Sequence, residues 1–155
     1  MLSEATRNSI AALIDRYPHR RSALLPALHL VQDEHGYVSE EAMADVGGIL
    51  RLTPADVQSV ASYYTMFFKQ PVGRHVIDIC TNLSCKARGC DKVVAHVLSA
   101  LNVELGGSTA DGRFYVHAVE CLGQCDRAPL LEIDLEPYGP LITPEAIDAV
   151  LARYP

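Results

Sequence analysis

The residues most able to do chemistry are five cysteines, all of which lie between positions 80 and 125. Cys80 and Cys85 form one pair with four residues between them, and Cys121 and Cys125 form a second pair with three. Close pairs of thiolates bind zinc or iron–sulfur clusters, or form redox disulfides. No CxxC motif, on which thioredoxin-type redox chemistry depends, is present. The spacing favours a metal centre and leaves iron–sulfur, zinc and a disulfide open.

Two details of the cysteine segments bear on this choice. Gly123 lies between the cysteines of VECLGQCDRAPL, where a residue without a side chain lets the backbone approach an inorganic sulfide. Cys90 lies outside both pairs, and we interpret it as a small packing residue at the entrance of a helix. The alternative is a substitute ligand or an oxidation-sensitive thiol.

The segments that precede each pair indicate how the cysteines are positioned. Residues 75–79 read as a strand that ends at Cys80, and residues 114–119 read as a second strand that leads to Cys121. An amphipathic helix over 91–101 connects them. A strand–helix–strand unit predicts two parallel strands with a right-handed crossover. Because parallel strands end at the same edge of a sheet, the four thiols are expected to converge there.

The remaining elements complete an α+β (α/β) architecture. Apolar spacing and helix-start signals at Ser39 and Thr53 predict a helical region over 1–72. Over 73–155 we expect, after the first two strands, a third at 130–134, a short fourth near 140–142 and a last helix that begins at Thr143. The aromatic residues of the segment 63–68 are interpreted as core packed where the two halves of the chain meet, and a partner-facing patch is the alternative.

Charge and composition exclude several classes of protein. The net charge is −6, which argues against a nucleic-acid phosphate backbone as the main partner. A helix-turn-helix pattern is suggested by the segment GILRLTPADVQSVASYY, so an iron–sulfur DNA-binding sensor is one alternative function. Residues 1–70 nevertheless carry more acidic than basic side chains, which argues against DNA binding. A second alternative function is that of a zinc-stabilised interaction module. No apolar run approaches a membrane span of about 18 residues, and clustered cysteines without a signal peptide predict a cytoplasmic location.

Histidines and basic residues are further candidates for a role at the site. The six histidines are interpreted as structural. Four basic residues lie within a few positions of the cysteines, and positive charge there favours a reduced cluster; solvated or partner-facing side chains are an equal alternative. They are Lys86, Arg88, Lys92 and Arg127.

ICTNLSC and VECLGQCDRAPLLEI, taken together, resemble the small iron–sulfur subunit (the E subunit) of NADH:quinone oxidoreductase, respiratory complex I. The resemblance covers essentially the whole chain. Related subunits occur in NAD-linked hydrogenases and formate dehydrogenases, so those parent enzymes are the alternatives. The resemblance implies an N-terminal helical bundle followed by a thioredoxin-like [2Fe-2S] ferredoxin domain, with the boundary between residues 72 and 73.

The same resemblance implies the site and the partners. One [2Fe-2S] cluster is expected, with Cys80 and Cys85 on one iron and Cys121 and Cys125 on the other. The chain is expected to hold no catalytic residue and to exchange single electrons with the FMN of a larger flavoprotein subunit, which binds NADH. It is expected to lie in the cytoplasm, peripheral to the inner membrane through the complex, without inserting into the membrane or binding nucleic acid.

Overall fold

The computed structural model describes residues 1–155 and divides into two compact units, Met1–Pro71 and Val72–Pro155. The predicted boundary, between residues 72 and 73, lies beside this division. None of the helices has both the length and the apolar character that a membrane crossing requires.

The N-terminal unit consists of four helices, as its apolar spacing predicts: α1 (Glu4–Leu13), α2 (Leu24–His35), α3 (Glu40–Leu50) and α4 (Pro54–Tyr63). Short 3₁₀ turns at Ile14–Arg16 and Arg20–Ala23 connect α1 to α2. Each helix contributes fully buried aliphatic side chains to one core, among them Ile10, Leu28, Val46 and Val57.

Polar side chains at the first turns explain where these helices begin. The Ser39 side chain accepts a hydrogen bond from the Ala42 N–H at the start of α3. At α4, the Thr53 hydroxyl accepts from the Asp56 N–H while the Asp56 carboxylate accepts from the Thr53 N–H, which is a complete capping box. Both caps predicted from the sequence are confirmed.

The aromatic segment that follows α4 corrects one prediction. Phe67 is buried in the core of this unit, where its ring contacts that of His29. Tyr63, by contrast, is 78% exposed, and Tyr64 and Met66 are also exposed. The prediction that these aromatic residues are core is therefore wrong for the two tyrosines, because α4 ends at Tyr63 and the chain turns before reaching the interior.

The C-terminal unit is built on a four-stranded mixed sheet in the order β2-β1-β3-β4. Its strands are β1 (His75–Cys80), β2 (Phe114–Val119), β3 (Leu131–Ile133) and β4 (Glu136–Tyr138). β1 and β2 are parallel, in the register His75–Phe114 to Cys80–Val119, as the sequence predicts. β3 pairs antiparallel with β1, and β4 with β3.

Three helices accompany this sheet: α5 (Leu83–Ala87), α6 (Cys90–Leu101) and α7 (Pro144–Leu151). Alternate strand residues such as Ile77, Val116 and Ile133 form one buried sheet face. Val97 of α6 and Ile147 of α7 pack into the same core.

Two elements differ from the prediction. The fourth strand lies at Glu136–Tyr138 and not near 140–142. β4 contains Pro137, which is tolerated because β4 is an edge strand of the sheet. The five-residue helix α5 was not predicted, because it is too short to show a helical period.

Candidate iron–sulfur site

Three of the five cysteines lie together in a small apolar cluster at the carboxyl end of β1. Cys80 is the last residue of β1, Cys85 lies in α5 and Cys90 is the first residue of α6. All three are at most 1% exposed, and they pack with Ala128 and Leu130. The short helix α5 brings Cys85 back over the strand end, which places the two thiols of the first pair in contact.

This environment favours the protonated form of Cys85 and of Cys90. Burial, together with a hydrogen bond to Cys80 and the neighbouring sulfur of Cys90, raises the pKa of Cys85 to about 11. Burial and the charge of Asp91 also raise the pKa of Cys90. Because a thiol binds iron as the thiolate, a metal bound at Cys85 would have to displace this proton.

The second pair is brought to the same edge by the parallel pairing. The Thr81 N–H and hydroxyl both donate to the Val119 carbonyl oxygen, at 2.9 and 3.1 Å. The Cys80 thiol donates to the carbonyl oxygen of Glu120, at 3.5 Å. Glu120 directly precedes Cys121 in the chain, so the strand ends that carry the two pairs are in contact.

Cys121 and Cys125, unlike the first pair, are exposed on the loop that follows β2. The Gly123 N–H points back to the Cys121 sulfur, at 3.4 Å. Gly123 has a φ of +74°, and a side chain there would meet no atom within 4 Å. The left-handed backbone is one reason for a glycine at this position.

Contacts from β4 onward support this loop from behind. Arg127 donates hydrogen bonds to the Gln124 side chain at 3.1 Å and to the Gly139 carbonyl oxygen at 3.3 Å. The Leu141 N–H donates to the Pro129 carbonyl oxygen at 2.8 Å. Arg127, one of the four basic residues considered for a role at the site, thus connects the loop to the segment that follows β4.

The four predicted ligands fit a [2Fe-2S] cluster by their chemistry. All five cysteines are free thiols. Such a cluster requires two thiolates for each of two irons, and the chain offers two pairs from adjacent strand ends. No three His, Cys, Asp or Glu side chains are arranged around one position suited to a single metal ion.

A row of polar side chains lies next to the cysteines and could not be predicted from the sequence. Asp78 lies two residues before Cys80 and is paired in register with His117 on β2 and Glu132 on β3. His117 contacts the Asp78 carboxylate at 3.2 Å, while burial raises the pKa of Asp78. Burial, with the charge of Asp78, also raises the pKa of Glu132.

Comparisons with known proteins agree with this geometry. The family described as thioredoxin-like [2Fe-2S] ferredoxin matches residues 10–155. The E subunit of NADH-quinone oxidoreductase from Pseudomonas aeruginosa is 39% identical over 99% of this chain and 92% of its own. The protein of the same name from Escherichia coli K12 is also 39% identical, with the same coverage. NADH-quinone oxidoreductase subunit 2 of Thermus thermophilus is 35% identical over 88% of this chain and 77% of its own.

A comparison with solved structures also finds a similar fold. The NAD+-reducing [NiFe]-hydrogenase in its air-oxidized state matches with a TM-score of 0.73 and 28% identity over 84% of this chain. This chain spans only 22% of the length of that hydrogenase chain. The predicted α+β fold with a thioredoxin-like ferredoxin domain is confirmed. From its sequence and its fold, the chain belongs to the thioredoxin-like [2Fe-2S] ferredoxin family.

Proposed function

We propose that the chain is an electron-transfer subunit of an NADH:quinone oxidoreductase and binds one [2Fe-2S] cluster. Cys80 and Cys85 would hold one iron, and Cys121 and Cys125 the other. The observation that carries this proposal is the contact between the Cys80 thiol and the carbonyl oxygen of Glu120, the residue before Cys121. The identity of 39% to two E subunits over 99% of the chain supports the parent enzyme.

The chain's own residues define how such a cluster would be held. Cys80 and Cys85 present their sulfurs from the buried edge of the sheet, which excludes water on that side. Cys121 and Cys125 close the site from an exposed loop. When bound, the cluster supplies the exchange of one electron at a time. The exposed loop leaves that side open for a partner to approach.

The partner follows from what a one-electron carrier needs. Such a carrier must lie close to a second redox centre, and it needs no substrate pocket of its own. We propose that this centre is the FMN of a flavoprotein subunit that binds NADH, and that this chain is a non-catalytic subunit. It would lie on the cytoplasmic side, peripheral to the inner membrane through the complex.

A second parent enzyme is favoured by one observation. The structural match to an NAD+-reducing hydrogenase, with a TM-score of 0.73, makes an equivalent hydrogenase subunit the alternative. The two differ in the reaction of the purified complex. Hydrogen-dependent reduction of NAD+ would identify the hydrogenase, and NADH-dependent reduction of a quinone would identify the oxidoreductase.

The cofactor is tested by analysing anaerobically purified protein for iron, sulfide and zinc, with EPR after dithionite reduction. The proposal requires about two irons and two sulfides per chain, and a rhombic signal from a single unpaired electron. One zinc, no sulfide and a colourless sample from an iron-replete culture would contradict it and favour the zinc-stabilised module. Co-purification with the flavoprotein subunit then tests the partner.

A further inference from the structure

A small cleft lies on the surface between helices α6 and α7, beside the cysteine cluster. Its volume is about 180 Å³, and its floor consists of the buried side chains of Val93, Leu141 and Ile147. Its rim is formed in part by Arg88 and Lys92. Ile142 also lines the cleft and is 69% exposed, which leaves a large aliphatic side chain open to solvent beside two cations.

Neither of the two cations of the rim has a carboxylate partner. Nearby, Lys86 is paired with Asp91 at 2.6 Å, and His96, which also lines the cleft, is paired with Asp148 at 2.7 Å. The carboxylates closest in sequence are therefore already engaged, while Arg88 and Lys92 make no ion pair. Residues 72–155 carry seven Lys and Arg against eleven Asp and Glu, so the two cations at the rim do not reflect an overall excess of positive charge.

The position of the cleft connects it to the proposed electron-transfer site. Arg88 and Gly89 form the link between α5, which carries Cys85, and α6, which begins with Cys90. Gly89 also lines the cleft. A protein segment bound in the cleft is therefore held within a few residues of the first cysteine pair.

The size of the cleft decides what kind of occupant fits. Sites for small molecules and cofactors usually measure about 300–1,000 Å³. At about 180 Å³, this cleft accepts one or two side chains. The apolar floor suits an aliphatic side chain, and the two free cations suit a carboxylate next to it.

We infer that this cleft is the docking site for an acidic segment of the electron-exchange partner, with an aliphatic side chain seated beside at least one Asp or Glu. The inference rests on the proposed function, because the partner is the flavoprotein subunit proposed above. Complementary charge at the rim of such an interface chiefly raises the rate of association and orients the two proteins.

The test compares binding of the cluster-loaded, full-length chain to the NADH-oxidising flavoprotein subunit by biolayer interferometry at several salt concentrations. The test variant carries Arg88→Glu and Lys92→Glu. A matched control carries Arg16→Glu and Arg20→Glu, two exposed cations of the N-terminal unit that make no ion pair. A third variant, Ile142→Ser, removes the exposed aliphatic side chain without changing charge. Iron content and the EPR spectrum verify that each variant is folded and loaded.

We expect the test variant to associate about tenfold or more slowly at low salt, with a weaker salt dependence, and the control to behave like wild type. Ile142→Ser should weaken binding mainly through faster dissociation. Equal binding by all variants would overturn the docking site and leave the proposed function standing. Failure of the wild-type chain itself to bind would overturn the proposed function, and the docking inference with it. A wild-type homodimer that the test variant abolishes would show that a second copy of this chain, and not the flavoprotein, occupies the cleft.

Discussion

Cys80 and Val119 are register partners at the ends of two parallel strands, so the chain leaves the sheet at both positions side by side. From Cys80 it enters the loop and short helix that carry Cys85, and from Val119 it enters the loop that carries Cys121. The parallel pairing of β1 and β2 therefore brings together two cysteine pairs that are 36 positions apart in the sequence.

The proposed ligand assignment predicts that cysteine substitutions will differ in their effect on the cluster. Cys80→Ala and Cys121→Ala should each abolish the cluster, whereas Cys90→Ala should retain about two irons per chain and lose only about 1 kcal/mol of stability. Iron and sulfide content, with the visible spectrum of anaerobic samples, are the measurements. A Cys90→Ala protein without colour, beside a coloured Cys85→Ala protein, would show that Cys90 is a ligand and Cys85 is not.

Replacing the cap of α4 should destabilise the N-terminal unit without affecting the cluster. Thr53→Ala removes the hydroxyl that accepts from the Asp56 N–H, and should cost about 1 kcal/mol in the free energy of unfolding. Ser62→Ala, near the end of the same helix, is the control and should change it by less than about 0.5 kcal/mol. Urea unfolding followed by circular dichroism measures both. Equal effects of the two substitutions would refute the capping role.

Asp56 should make the stability of the N-terminal unit depend on pH. Hydrogen bonds from Thr53 and Arg21 hold the pKa of Asp56 below its ordinary value of 3.8. A carboxylate whose pKa is lowered by folding stabilises the fold above its unfolded pKa, and that contribution is lost as the pH falls through the folded value. The stability difference between wild type and Asp56→Asn should therefore be constant from about pH 7 to pH 5 and shrink below about pH 4. A difference that does not change with pH would contradict this account.

One glycine behind the cysteine loop should not tolerate a methyl group. A Cβ at Gly139 would lie 2.4 Å from the Arg127 carbonyl oxygen and 2.8 Å from the Leu130 Cβ. Gly139→Ala should therefore displace the loop, destabilise the protein by about 1–3 kcal/mol and lower the iron content. Gly48→Ala, in an open position on α3, should instead stabilise by about 0.5–1 kcal/mol. Thermal unfolding and iron analysis distinguish the two. A Gly139→Ala protein with wild-type iron content and stability would show that the loop does not depend on this contact.

The elements that were predictable are those with a local physical signature. The strand that ends at Cys80 and the cap at Thr53 are visible as an apolar run and as a hydroxyl three residues before a carboxylate. β4 was misplaced because it is only three residues long, which is too short to show a clear alternation of apolar and polar residues. The exposure of Tyr63 depends on where the chain turns after α4.

The approach of the two cysteine pairs was predictable from the sequence, and their surroundings were not. Cys80 and Cys121 follow recognisable strands, so their approach could be inferred from parallel pairing alone. The cleft beside Arg88 and Lys92 could not, because its floor combines Val93 with Leu141 and Ile147, which are distant in sequence. The row formed by His117, Asp78 and Glu132 depends on register across three strands.

The unequal burial of the two cysteine pairs has a consequence for how the metal centre is assembled. Cys80 and Cys85 are fixed by the same packing that forms the sheet, so their half of the site exists as soon as the C-terminal unit is folded. Cys121 and Cys125 stand at the surface, where a scaffold or chelate that donates iron can reach them without unfolding the chain. If the four cysteines hold the cluster as proposed, an iron donor would reach the accessible pair of thiols first and the preorganised pair second.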